Sequence, residues 1–222
     1  SYMDENSLIS INGNGMPTLQ ILLMMTIISL LPSIVVMMTS FMRIVIILSF
    51  TRSAIGVQQT PPNMVLIGLA LFLTLFIMNP VLKEINEEAY QPYLAEQITQ
   101  EETLERMQVP LKEFMLKQTD VSSLELFNEM AGNEKVEEPR DLPMTVVIPS
   151  FMTSELKRGF MAGFFIYIPF LLIDIVISST LMSMGMIMLP PATIALPFKL
   201  LLFVTVNGWE LLFSVIVKSF NY

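Results

Sequence analysis

Leu181 to Lys199 read LMSMGMIMLPPATIALPFK. Met182, Met184, Met186 and Met188 stand on alternate residues around Gly185, and Pro190-Pro191 follow. Two adjacent prolines remove two amide donors and drive Leu189 out of the α region. A helix would spread residues two apart around its whole cylinder, whereas an extended segment points them to one side. The stretch is therefore expected to be an extended, uncharged loop with its thioethers on one face, set between two long apolar segments. A lipid-facing turn that happens to be rich in methionine fits the same letters. The surrounding chain has to separate the two readings.

Immediately outside the loop, Asp174 interrupts one apolar run and Lys199 the other. A hairpin folded at the loop would bring its arms together, which makes Asp174 and Lys199 a candidate ion pair, within one subunit or between two. Arg43 and Glu210 are isolated in apolar sequence in the same way. An unpaired charge at a bilayer centre costs roughly 2.5–3.5 kcal/mol on insertion scales. The four internal charges therefore point to pairing inside an assembly, with snorkelling towards the interface as the bland alternative.

Working outward, residues 144–222 form an apolar hairpin around the methionine loop, with a helix start expected at Thr153-Ser154-Glu155. Residues 17–82 form a first apolar hairpin. Its opening run, Pro17 to Phe50, holds 34 residues with one charge, Arg43. As a single helix it would be about 51 Å long against a hydrocarbon core of about 30 Å, so a kink or break at Pro32 is expected. Asn63 to Leu82 is uncharged and long enough to span. Between the hairpins, residues 83–143 change character, with fifteen Asp or Glu against six Lys or Arg from Lys83 to Asp141. Leu104, Met107, Leu111, Phe114 and Met115, then Leu124, Phe127 and Met130, recur at helical spacing, which predicts amphipathic helices punctuated by Pro92 and Pro110. Residues 1–16 are a polar tail with turn chemistry at Asn12-Gly13-Asn14-Gly15. A start at Ser1 suits removal of a secretory signal and suits a trimmed chain equally.

Composition excludes much. The 222-residue chain is 53% hydrophobic and 14% charged, with net charge −8 and mean hydropathy +0.64, where soluble domains carry about 25% charged residues. Cysteine and histidine are absent, which removes disulfides, thiol nucleophiles, the usual zinc ligand sets and imidazole catalysis. No enzyme, metal or cofactor is expected, and with no basic patch, no nucleic-acid partner. A plain four-span topology also fails. Arg43 and Arg52 would place the acidic block outside, yet Lys157-Arg158 would then lie outside next to a span.

Longer stretches carry a family resemblance. MTSFMRIVIILSFTRSAIGVQQTPPNMVLIGLALFLTLFIMNPV (38–81), YQPYL, FMLKQT, IPSFMTSELKRGF, FIYIPFLLIDIVISS and LPPATIALPFKLLLFV closely resemble the FliP family of type III secretion export-gate proteins, flagellar and injectisome. The likeness covers nearly everything from Leu19 onward and favours the flagellar members. It implies an all-α, membrane-associated fold of bent helical hairpins with an inserted extracytoplasmic helical domain at 83–143. It also implies a ring- or helix-forming oligomer, a homopentamer joined by FliQ and FliR and other export-apparatus membrane proteins. This assembly would sit in the bacterial inner membrane at the flagellar basal body, much of it on the periplasmic side, in contact with lipid. Unfolded flagellar proteins would pass through its centre. The family's methionine gasket aligns with Met186, Ile187 and Met188, where Ile187 departs from an all-methionine pattern. Phe114 and Phe127 match aromatic positions at which subunit contacts are expected. Two other classes remain open from the residues alone: a small-solute or ion channel using Asp174 and Lys199 as a relay, and a scaffold whose loop lines nothing.

Overall fold

The computed structural model describes residues 7–11 and 14–220. They fall into two compact units, Ser1–Met37 and Met38–Tyr222. In the first, strand β1 (Ser7–Ile11) pairs antiparallel with β2 (Asn14–Pro17), Ile9 opposite Met16 and Ile11 opposite Asn14. A polar tail was expected here; a short ribbon is found. The turn expected at Asn12-Gly13 lies outside the described residues. Helix α1 (Thr18–Met38) follows, with Pro32 inside it. The break expected at Pro32 falls instead at Thr39-Ser40, where the Phe41 amide donates to the Thr39 hydroxyl at 3.3 Å. A proline in an apolar helix forfeits one backbone bond, whereas the hydroxyl at Thr39 supplies an acceptor for a new helix start.

The second unit contains α2 (Phe41–Ile55), α3 (Asn63–Ile85), α4 (Gln91–Leu94), α5 (Gln100–Gln118), α6 (Val121–Met130), α7 (Met144–Ser183), α8 (Pro191–Thr205) and α9 (Gly208–Lys218). Helix α2 ends at Gly56 in the left-handed region, φ 88°, its amide bonded to the Ser53 carbonyl, as a C-terminal glycine allows. Arg52 then ties the turn to α3, donating to the Pro61 carbonyl at 3.2 Å and to Asn63 Oδ1 at 2.6 Å. Among the described residues α1, α7 and the helix running from α3 through a π-helical turn into α4 are long and apolar enough to cross a membrane. Helices α8 and α9 form a fourth candidate, bent by 61°.

Residues 83–143 do not keep a core of their own. Phe114 and Met115 of α5, Leu124 of α6 and Leu142 share one cluster with Ile44 and Leu48 of α2, Leu66 and Ile77 of α3, and Val147 and Phe151 of α7. A segment this short and acidic gains most by burying its apolar stripes on the neighbouring hairpins. Its helices are placed by the expected pattern, although Leu104 and Met130 stay exposed. Thr99 caps α5, accepting from the Glu102 amide at 3.2 Å, a Thr-x-x-Glu start. Pro110 was expected to divide helices and instead lies buried within α5. Pro169 and Pro197 likewise sit inside α7 and α8. Pro110 is buried while Pro169 and Pro197 stay exposed, and each helix carries the lost hydrogen bond without breaking.

Helix α7 is a 40-residue rod beginning at Met144, so the start expected at Thr153 lies well inside it. Gly159 and Gly163 form a small-xxx-small groove on this rod. A Cβ added at Gly159 would meet Ile46 at 2.7 Å, and one at Gly163 would meet the Phe50 ring at 2.6 Å. Such grooves commonly join separate membrane helices; here α2 of the same chain fills it. Gly163→Ala is expected to cost about 1–3 kcal/mol through overpacking, read as a lower unfolding temperature. Gly68→Ala, in α3 with open space around its Cβ, should be neutral or gain about 0.5–1 kcal/mol. Equal effects would refute the close α2–α7 approach.

Candidate functional site

The methionine loop is set by how α7 stops. Gly185 adopts φ 77°; its amide donates to the Met182 carbonyl at 3.1 Å, and the Met186 amide to the Leu181 carbonyl at 3.0 Å. This paired closure is a Schellman motif, which reverses the chain and satisfies carbonyls at the helix end. Helix α8 starts at Pro191, where a proline loses no intrahelical bond. The expected extended run of four alternating methionines is therefore wrong. Met182 is helical, Met184 caps the helix, and Gly185 to Pro190 leave helical geometry. Sequence spacing could not reveal this, because Gly185 ends the helix after the second methionine of the series. Side chains at the tip project freely: Ile187 is 80% and Met188 96% exposed, Met186 43%. The tip carries no charge.

Behind the tip, Lys199 Nζ of α8 lies 2.7 Å from Asp174 Oδ2 of α7. Both belong to one subunit here, with Lys199 nearly buried and Asp174 about 40% exposed. A Cβ placed on Gly56 would come within 3.7 Å of the same ammonium, so Lys199 also stands by the negative end of α2. Asp174 is about 15 Å along α7 from the loop. The pair thus clamps the two arms at the base of the hairpin whose tip bears Met186, Ile187 and Met188.

Arg43 is fully buried and carries the densest polar network among the described residues. Its Nε donates to Glu155 Oε2 at 2.7 Å, and Nη2 donates to Glu155 Oε1 and to Gln118 Oε1. Nη1 donates to the Ser219 carbonyl and hydroxyl, both at 3.1 Å. The guanidinium lies 3.7 Å over the Phe220 ring. This one side chain joins α2, α5, α7 and the segment after α9. Glu155 also faces Arg158, which with Lys157 pairs with Asp120 at 3.2 Å. The basic pair that disturbed a simple topology is therefore matched by acids within the chain. Glu155 was not singled out from the sequence. Its signal was there: it is the one acid between Asp141 and Asp174, and Arg43 needed a partner.

The other sequence candidates fall elsewhere. Glu210 is exposed at the first turn of α9, accepting from Asn207 Nδ2 at 2.8 Å, so it is not an interior charge of the subunit. Phe114 is only 3% exposed; its ring packs on Phe151 and Phe220 within its own subunit. Phe127 is partly buried against the same core. Among the described residues no cluster of acids is arranged to hold a metal ion.

Comparison with known proteins agrees in extent with these features. A family model described as "FliP family" matches residues 24–216. The chain is 50% identical over 211 residues to "Flagellar biosynthetic protein FliP" of Aquifex aeolicus, covering 94% of this chain and 88% of that one. It is 50% identical over 207 residues to the protein of the same description from Bacillus subtilis, covering 93% and 94%. With that from Caulobacter vibrioides it shares 51% identity over 205 residues, 91% and 76% of the two chains.

Proposed function

The chain belongs to the FliP family, and on that premise we propose that it is a pore-forming core subunit of the flagellar export gate, passing unfolded flagellar proteins across the bacterial inner membrane. The similar proteins are described as flagellar biosynthetic proteins, and the apolar helices suit a membrane component. In this reading several copies, five in the family's pattern, surround one axis with FliQ and FliR, much of the assembly lying on the periplasmic side. The tip residues Met186, Ile187 and Met188 from each copy meet at that axis as the constriction.

One observation carries the proposal. The α7–α8 hairpin presents an uncharged tip, capped at Gly185 and held from behind by Asp174 and Lys199, on which Ile187 and Met188 are left largely uncovered by their own subunit and Met186 partly so. Burying such a tip among its copies removes apolar surface from water. Flexible, polarisable thioethers repack around varied contents, and an apolar ring excludes water and ions by dewetting. The branched Ile187 is stiff at χ1 and would give the ring a fixed shoulder between two adaptable neighbours.

Replacing Met186 and Met188 together by glycine should raise resting ion flux through the assembled complex several-fold, measured in vesicles containing it. Wild-type flux with the complex intact would remove the tip from the constriction. Cysteines placed at positions 186–188 that resist thiol reagents in every state would support the scaffold instead.

A further inference from the structure

Two fixed points are needed to aim a rod. The Asp174–Lys199 pair holds α8 at one of them, and a bar held at one point still turns about it. The second lies at the far end of α8. There the chain bends by 61° into α9 through Asn207, at φ 53° and ψ 53°. This is the left-handed region, which asparagine tolerates and β-branched residues do not. Asn207 closes one helix and opens the next. Its amide donates to the Val204 carbonyl, and its carbonyl accepts from the Leu211 amide, both at 3.1 Å. Its side-chain Nδ2 donates to Glu210 Oε2 at 2.8 Å. Gly208 follows, buried, and a Cβ there would run into three atoms of the Phe203 ring. That ring has little room to yield, with Trp209 edge-on at 5.0 Å between centroids and Phe170 of α7 at 6.3 Å. Helix α9 is itself pinned at its other end, by Ile216 in the core and by Arg43 on Ser219. All of these contacts are made within one chain.

We propose that Asn207, Gly208 and Phe203 are positioning residues of the constriction: they fix the angle of α8 against α9 and so set where Met186 to Met188 stand. This rests on the pore role proposed above. With Lys199 as the fulcrum, Pro191 lies about 12 Å along α8 in one direction and Thr205 about 9 Å in the other. A displacement at the elbow therefore reaches the loop enlarged by about a third and reversed in direction. A shift of about 2 Å at the elbow moves the tip by about the 2.8 Å width of a water molecule. An apolar ring that blocks ions by staying dry fails once water fits through it. Glu210, isolated in apolar sequence, finds its use here, holding the side chain of the elbow residue.

The test measures ion flux through the intact complex in vesicles, with native gels confirming assembly. Gly208→Ala should raise resting flux at least about threefold, since the ring holds only while dry. Adding Phe203→Leu, which clears space for the new methyl group, should return most of that flux to the parent level. Asn207→Val should leak likewise. Asn207→Gly gives up the same bond to Glu210 but enters the left-handed region freely, so it should stay as tight as the parent. An assembled Gly208→Ala complex that stays tight, while the variant with glycine at both tip methionines leaks, overturns the proposal and leaves the pore role standing. So does a leak that Phe203→Leu fails to reduce, or equal flux from the two Asn207 variants. Loss of assembly in Gly208→Ala and Asn207→Val alike would show that the elbow only holds the fold, and overturns the proposal too. A tip glycine variant that stays tight removes the pore role and this inference with it.

Discussion

Glu155→Ala should be the most damaging single substitution in the chain, lowering its stability by about 3–5 kcal/mol. The Arg43 guanidinium is held inside α2, α5 and α7 with its main countercharge on Glu155. Removing that carboxylate leaves a buried cation with only neutral acceptors, Gln118 and Ser219, and with the face of Phe220. Arg158, which faces the same carboxylate, would become a like-charged neighbour. The expected readout is loss of protease resistance and a fall in the unfolding temperature of the detergent-solubilised chain. A second substitution gives the sharper check. Arg43→Met combined with Glu155→Leu removes both charges and fills the space with apolar atoms, so most of the loss should return, since replacing both members of a buried pair is often neutral or favourable. A Glu155→Ala chain as stable as the parent, or a double variant no better than the single one, would show that the network contributes little.

That network marks the limit of what the sequence disclosed. Apolar runs, the acidic middle and the helical stripes of α5 and α6 were legible because they depend on local periodicity. Asp174 and Lys199 were legible as a pair because both flank one loop. Arg43 and Glu155 are separated by 112 positions, and no local pattern joins them; only the failure of Arg43 to find a neighbour pointed inward. The prolines misled for the opposite reason. Pro32 and Pro110 were read by their intrinsic cost, and the surrounding helix continues through each, as it does at Pro169 and Pro197. The methionine loop was located correctly but given the wrong backbone, because Gly185 at φ 77° decides where α7 ends and side-chain alternation does not. The acidic segment looked separable by charge, yet Phe114 and Leu124 belong to the common core. Charge describes its solvent face and says little about its buried one.

Asp174→Ala is expected to have the second-largest effect, and it separates the competing functional readings. It would strand Lys199, nearly buried, at a cost approaching the roughly 2.5–3.5 kcal/mol of a lone charge at a bilayer centre, reduced because Asp174 itself is partly exposed. Proximity of Nζ to Gly56 leaves some support from the end of α2, so the subunit should fold while the α7–α8 hairpin loses its clamp. Assembly of the complex and export of flagellar protein should then fall together, because the tip residues Met186 to Met188 would no longer be held in register. Exchanging the charges, Asp174→Lys with Lys199→Asp, should restore part of both. The rescue should stay incomplete, since a carboxylate at position 199 faces the negative end of α2 rather than a cation's favourable surroundings. A relay channel behaves differently: neutralising Asp174 would abolish solute flux in an oligomer that remains intact, and the charge exchange would not recover it. Native gel analysis of the complex, secretion of a flagellar substrate and ion flux, measured on the same two variants, distinguish these outcomes. Full assembly and secretion in the Asp174→Ala chain would show that the pair does not position the gate, whatever the loop itself does.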